Sequence, residues 1–191
     1  PINRSRDTAA PFRCSAERNG LLYFIGSAVG GNELFRSDGS TAGTFAVTDI
    51  VTDSGSGQVS PCIAGTIGGV LALNDRILFV GALDSSTGFE LLSSNGVDPP
   101  LLVADIKPGI EDSHPTELTR VGQRAIFVAT TASQGRELWA SDGSIAGTQL
   151  LMDIQPGATG SNPSSLVVAG DRVYFLATTL ANGTELWLTD G

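Results

Sequence analysis

Gly135-Arg136-Glu137-Leu138-Trp139-Ala140-Ser141-Asp142-Gly143-Ser144-Ile145-Ala146-Gly147-Thr148, followed by Leu151-Met152-Asp153-Ile154-Gln155-Pro156-Gly157, is the stretch that decides the fold, because it recurs. An earlier copy reads Gly31-Asn32-Glu33-Leu34-Phe35-Arg36-Ser37-Asp38-Gly39-Ser40-Thr41-Ala42-Gly43-Thr44, then Val47-Thr48-Asp49-Ile50. Between them lies a degraded copy, Gly88-Phe89-Glu90-Leu91-Leu92-Ser93-Ser94-Asn95-Gly96, then Val103-Ala104-Asp105-Ile106-Lys107-Pro108-Gly109. The fourth, Gly183-Thr184-Glu185-Leu186-Trp187-Leu188-Thr189-Asp190-Gly191, stops with the chain.

Two markers keep the same period. Glu-Leu begins at 33, 90, 137 and 185, in steps of 57, 47 and 48, and a phenylalanine recurs at 24, 79, 127 and 175. A fixed period of this length marks a repeat architecture. The longer first step predicts an eight-residue insertion near Gly55-Ser56-Gly57, in a loop, where insertions are tolerated.

Each period holds four short apolar runs separated by turn signals, as in Gln149-Leu150-Leu151-Met152, Ser165-Leu166-Val167-Val168, Val173-Tyr174-Phe175-Leu176 and Glu185-Leu186-Trp187-Leu188. Ala169-Gly170-Asp171-Arg172 and Ser-Asp-Gly supply hairpin turns. The second run is apolar on both faces, as in a strand sandwiched between neighbouring sheets. The reading is all-β: a β-propeller of four repeats of about 48 residues, with four antiparallel strands per blade and the last blade incomplete. The blades fall at about 11–50, 51–106, 107–154 and 155–191, fifteen strands in all. Residues 1–10 are a candidate for the missing outer strand; a partner chain or a larger ring are the alternatives. A β-solenoid or stacked sheet is the competing arrangement.

The recurring Glu-Leu-Trp-x-x-Asp-Gly-Ser/Thr, with Gly-Thr and Asp-Ile-x-Pro-Gly downstream, resembles the ELWxxDGT repeat family of bacterial secreted and surface proteins, over nearly all of residues 20–191. The resemblance implies a propeller-like repeat region in large extracellular proteins and assigns no activity. Asn95 and Val97-Asp98-Pro99-Pro100 depart from the pattern in the second copy.

The 191 residues are 41% hydrophobic and carry a net charge of -9, with 11 basic residues. That balance excludes nucleic acid and anionic lipid as partners, because both need clustered Lys and Arg. No apolar run approaches the roughly 20 residues that span a bilayer. The opening Pro1-Ile2-Asn3-Arg4 reads as a processed or excised segment.

The repeated acids are read as structural. Asp38, Asp142 and Asp190, with Asn95 in the second copy, precede glycine as turn residues do; calcium is the weaker alternative for the three aspartates. Glu33, Glu90, Glu137 and Glu185 share a strand face with Phe35, Leu92, Trp139 and Trp187, and are expected to brace the repeat through backbone donors or an arginine. Asp49, Asp105 and Asp153 are expected to hold the blade-to-blade connection. Cys14 and Cys62 begin the first strands of adjacent blades and are expected to form a disulfide, consistent with an oxidising compartment. His114 reads as a loop residue, the Gly-rich Gly26-Ser27-Ala28-Val29-Gly30-Gly31 as a turn, and Asn182-Gly183-Thr184 as a glycosylation sequon that matters only in a glycosylating host.

No catalytic residue, metal or cofactor is expected, and no Gly-x-Ser-x-Gly elbow is present. The functional expectation is an extracellular or cell-surface binding or scaffold module for protein or glycan, not an enzyme. The alternative is a propeller enzyme of glycosidase or lyase type using the central funnel.

Overall fold

The computed structural model describes residues 14–28, 31–47, 58–59, 69–84 and 86–191. Its strands are β1 (Ser15–Arg18), β2 (Leu21–Ala28), β3 (Gly31–Ser37), β4 (Phe45–Ala46), β5 (Gln58–Val59), β6 (Val70–Ala72), β7 (Ile77–Ala82), β8 (Glu90–Ser94), β9 (Leu101–Ala104), β10 (Thr116–Val121), β11 (Arg124–Thr131), β12 (Gly135–Ser141), β13 (Gln149–Met152), β14 (Ser164–Ala169), β15 (Arg172–Thr179) and β16 (Gly183–Thr189). They form four antiparallel sheets: β1-β2-β3-β4, then β5 and β6 both on β7 with β8 and β9, then β10-β11-β12-β13, then β14-β15-β16. The chain is all-β, and the fourth sheet has three strands.

The sheets stack in chain order. Alternation along the second strand of each sheet sends one set of side chains to the preceding sheet and the other to the following sheet. Ile77 and Phe79 pack with Tyr23 and Leu34 of the first sheet. Leu78 and Val80 pack instead with Ala125, Phe127 and Ala129 of the third. Ile126, Val128 and Leu138 pack with Val173, Phe175 and Ala177 of the fourth. The recurring phenylalanine thus faces backwards and the Glu-Leu leucine forwards, and burying each contributes about 1.5–3 kcal/mol. The first strands adjoin in the order β1, β6, β10, β14.

Among the described residues there are sixteen strands rather than the fifteen expected, because the first strand of the second sheet is split. In the third and fourth sheets a register shift interrupts that strand, between Thr116 and Thr119 and between Ser164 and Val167, with Glu117 and Ser165 at positive φ. At the corresponding place in the second sheet, β5 pairs with Gly81 and Ala82, and β6 resumes opposite Phe79. Gln58 lies 21 residues before Phe79, whereas Ser113, which faces Thr130 in the same way, lies 14 before Phe127. Seven of the eight extra residues therefore enter at the bulge, between β5 and β6, rather than near Gly55-Ser56-Gly57. A bulge leaves a residue unpaired, so the ladder opens there at least cost. Gly55–Gly57, residues 1–10, Asp49 and Cys62 lie outside the described residues.

The antiparallel order puts the connections between sheets on one edge, together with the turns joining second and third strands. The Asp-Gly turns and the hairpins between first and second strands lie on the other edge.

Candidate functional site

The repeated glutamates build the most elaborate polar site. Glu90, at the start of β8, is fully buried and accepts from the backbone N–H groups of Ile106, Lys107 and Ser113 at 3.1, 3.3 and 3.1 Å, and from Ser113 Oγ at 2.5 Å. Every donor belongs to the connection between the second and third sheets. Glu137 does the same one repeat later, accepting from Gln155 N at 3.1 Å, Ser161 N at 2.7 Å and Ser161 Oγ at 2.5 Å. Each carboxylate is a clasp closing over the chain that leads into the next sheet. Burial pushes Glu90 above the ordinary carboxylate value, against the Ser113 hydroxyl and the backbone donors, which pull it down. Glu33 is also buried, whereas Glu185 is exposed.

Glycine completes the clasp. A Cβ on Gly135 would lie 2.5 Å from Ala158 O and from Gly160 N, and one on Gly88 would strike the backbone of Glu111. The connection therefore runs close over the end of the strand. Ser113 and Ser161, both buried, were not singled out in the sequence; the signal was there in the equivalent Ser113-His114-Pro115 and Ser161-Asn162-Pro163. His114 and Asn162 take the same positive φ, 48° and 51°, and His114 Nε2 lies 3.7 Å from Asp112. Of the aspartates before Ile, Asp105 is exposed and Asp153 Oδ1 is buried without a hydrogen-bond partner, while Asp49 lies outside the described residues.

The aspartates before glycine hold their own turns. Asp38 Oδ1 accepts from Ser40 N and Oγ at 2.8 and 2.7 Å, and Asp142 Oδ1 from Ser144 N and Oγ at 2.8 and 2.6 Å. These bonds, the serine hydroxyl foremost, hold both carboxyls below the usual value. Asn95 Oδ1 substitutes by accepting from Val97 N and Asp98 N. Asp142 and Asp190 line a cleft of about 470 Å³ with Asp171, but Arg124 stands among them, donating to the Gly191 carbonyl, and Asp38 does not line it. Among the described residues no three His, Cys, Asp or Glu side chains come together to hold a metal.

The turn glycine has a second use. Cβ atoms on Gly96 and Gly143 would lie 2.7 Å from Tyr23 Oη and 2.9 Å from Arg76 Cδ, side chains of the preceding sheet, whereas Gly39 of the first sheet meets nothing.

Charged residues that do not repeat gather between β10 and β14. Glu117 Oε2 accepts from Leu166 N at 2.9 Å, tying the two first strands, while Arg136 donates to Thr116 Oγ1 at 2.6 Å. Burial works against the Arg136 charge and the Glu117 carboxylate supports it. Arg120, three residues beyond Glu117 on β10, reaches the other way and donates to Ala72 O and Asn74 Oδ1 of the second sheet. None of these was singled out in the sequence, because each occurs in one repeat only. Cys14 packs against the core between the first two sheets.

No family model and no curated protein matches this sequence. Among solved structures, a puromycin hydrolase mutant complexed with PGG matches 89% of this chain over 27% of its own, with a TM-score of 0.54 and 17% identity. A prolyl endopeptidase matches 92% of this chain over 26% of its own, with a TM-score of 0.49 and 13% identity. The chain spans about a quarter of the length of these solved chains. At this identity the likeness to the first concerns the fold alone: the stacked sheets are propeller-like.

Proposed function

We propose that this chain is a non-catalytic recognition or scaffold module, a segment of four propeller blades of the ELWxxDGT repeat kind working in a secreted or cell-surface assembly. Its partner is a protein or a glycan. The observation that carries this reading is the commitment of the repeated acids to the fold: Glu90 and Glu137 are filled by backbone and serine donors, and Asp38 and Asp142 by their own turns. The Pro108-Gly109 and Pro156-Gly157 loops lie on the edge that carries the connections between sheets, and the second repeat alone carries the extra sequence between Val59 and Val70. Loops on a rigid scaffold are where recognition is built.

The test is saturable binding of the purified chain to a panel of immobilised polysaccharides and to a cross-linked secretome. Binding should be lost when residues 60–69 are replaced by the short connection of the third repeat. Turnover of chromogenic glycosides, esters or peptides would overturn the reading.

A second reading, an enzyme working near the first strands, draws on Glu117 and Arg136, the acid and base that do not repeat. Its signature is turnover that disappears in Glu117→Gln.

A further inference from the structure

We infer that the outer face of the fourth sheet is the seat of a further blade of the same repeat, which enters through a connection clasped by Glu185. The inference does not depend on the recognition role proposed above.

The forward-facing leucine of the Glu-Leu pair has exposures of 0% at Leu34, 0% at Leu91 and 2% at Leu138, each covered by the next sheet, but 69% at Leu186. Beside it, Leu188 is 53% exposed where the equivalent Ala140 of the third sheet is buried, and Leu176 is exposed where Val128 is buried. A contiguous leucine face open to water marks an interaction surface.

The clasp identifies the occupant. Glu185 occupies the position of Glu90 and Glu137 yet is exposed, and among the described residues no donor reaches it. Gly183 keeps the left-handed backbone of Gly135, φ 75° against 68°, but a Cβ there would meet nothing within 4 Å, where Gly135 lies against Ala158 O and Gly160 N. Glycine, glutamate and leucine thus stand ready in the fourth repeat for the contacts they make in the second and third. An unrelated protein or a glycan would use the leucines. Only a connection like Asp153-Ile154-Gln155-Pro156-Gly157 through Ser161 would also supply the N–H groups and serine hydroxyl that fill the glutamate. The stretch before the first sheet has Ala9-Ala10-Pro11 where the connections into the third and fourth sheets have Ser-x-Pro, so a second copy docking through its first sheet lacks the hydroxyl that fills Glu90 and Glu137.

The experiment appends a copy of residues 144–191 after Gly191, which reproduces the Gly143-Ser144 junction and supplies an outer strand, a connection and a sheet. Hydroxyl-radical labelling of Leu186 and Leu188 should fall by about tenfold, as the passage from an exposed to a core leucine requires. Glu185→Ala, without effect on the melting temperature of the 191-residue chain, should lower that of the extended chain by roughly 6 °C or more. Glu185→Gln, which keeps one acceptor oxygen, should fall between the two, and amide exchange of β16 in the parent proteins needs no variant. Unchanged labelling together with a neutral Glu185→Ala in the extended chain overturns the inference. So does a dimer of the 191-residue chain that Leu186→Asp dissociates, since the occupant is then a second copy.

Discussion

Glu137→Ala and Glu185→Ala replace the same residue at the same repeat position, and their costs should differ sharply. Removing the Glu137 carboxylate strands three donors, the buried Ser161 N–H and Ser161 Oγ–H and the half-buried Gln155 N–H. A buried donor left unsatisfied costs about 1–3 kcal/mol. Three of them, partly relieved by water entering the space, give roughly 3–5 kcal/mol, the range found when one partner of a buried charged contact is removed. For a domain of this size that is a fall in Tm of roughly 6–20 °C. Glu185 is exposed, and its alanine variant should stay within about 0.5 kcal/mol of the parent. Paired urea and thermal melts followed by circular dichroism measure the difference. Equal costs for the two variants would refute the clasp, because strand propensity and charge change identically in both.

The glycine of the clasp gives a parallel comparison: Gly135→Ala and Gly183→Ala suffer similar backbone strain at positive φ, but only the first drives a Cβ into backbone atoms, so its melt should show an excess cost of about 1–3 kcal/mol. The carboxyls should respond to pH in opposite senses. Asp142 is held below its ordinary 3.8, so its contribution is full above that value and is lost as pH falls through the lower folded value; the Tm advantage over Asp142→Ala should shrink on acidification. Glu90 is raised above 4.5, so the fold gains relative to Glu90→Gln as pH drops towards 4.5, and a gap that widens with rising pH would contradict the burial cause. The Cys14–Cys62 disulfide is checked by intact mass without reductant, expected roughly 2 Da below the thiol form. Two alkylatable cysteines in the native protein would exclude it.

The periodic features were legible in the sequence because they are local. The short continuous apolar run Val173-Tyr174-Phe175-Leu176 and the turn chemistry of Ser141-Asp142-Gly143 specify strands and hairpins without any distant contact. The meeting of Glu137 with Ser161 was not legible, since those residues are 24 apart and come together only when the connection folds back over the strand end. The insertion was misplaced for a related reason. Glycines near Gly55 signalled a loop, but the extra length enters at a β-bulge whose existence depends on pairing with β7. The aspartates before Ile recur as strictly as the glutamates, yet Asp153 Oδ1 has no partner. Recurrence located the repeat and did not say which of its acids closes it. Glu117 and Arg136 occur once each, so a search for periodicity passed over the carboxylate that ties β10 to β14 and the guanidinium that supports it from β12.

The central claim is that the four sheets stack face to face in chain order and leave the forward face of the last one open. Methyl-to-aromatic NOEs in a chain labelled at leucine, isoleucine and valine methyls test it most directly. The account predicts contacts from Leu78 and Leu91 to Phe127 and from Ile126 and Leu138 to Phe175, with none from Leu186 to any aromatic of a neighbouring sheet. Silence between Leu138 and Phe175, or a Leu186 as rich in aromatic contacts as Leu138, would contradict it.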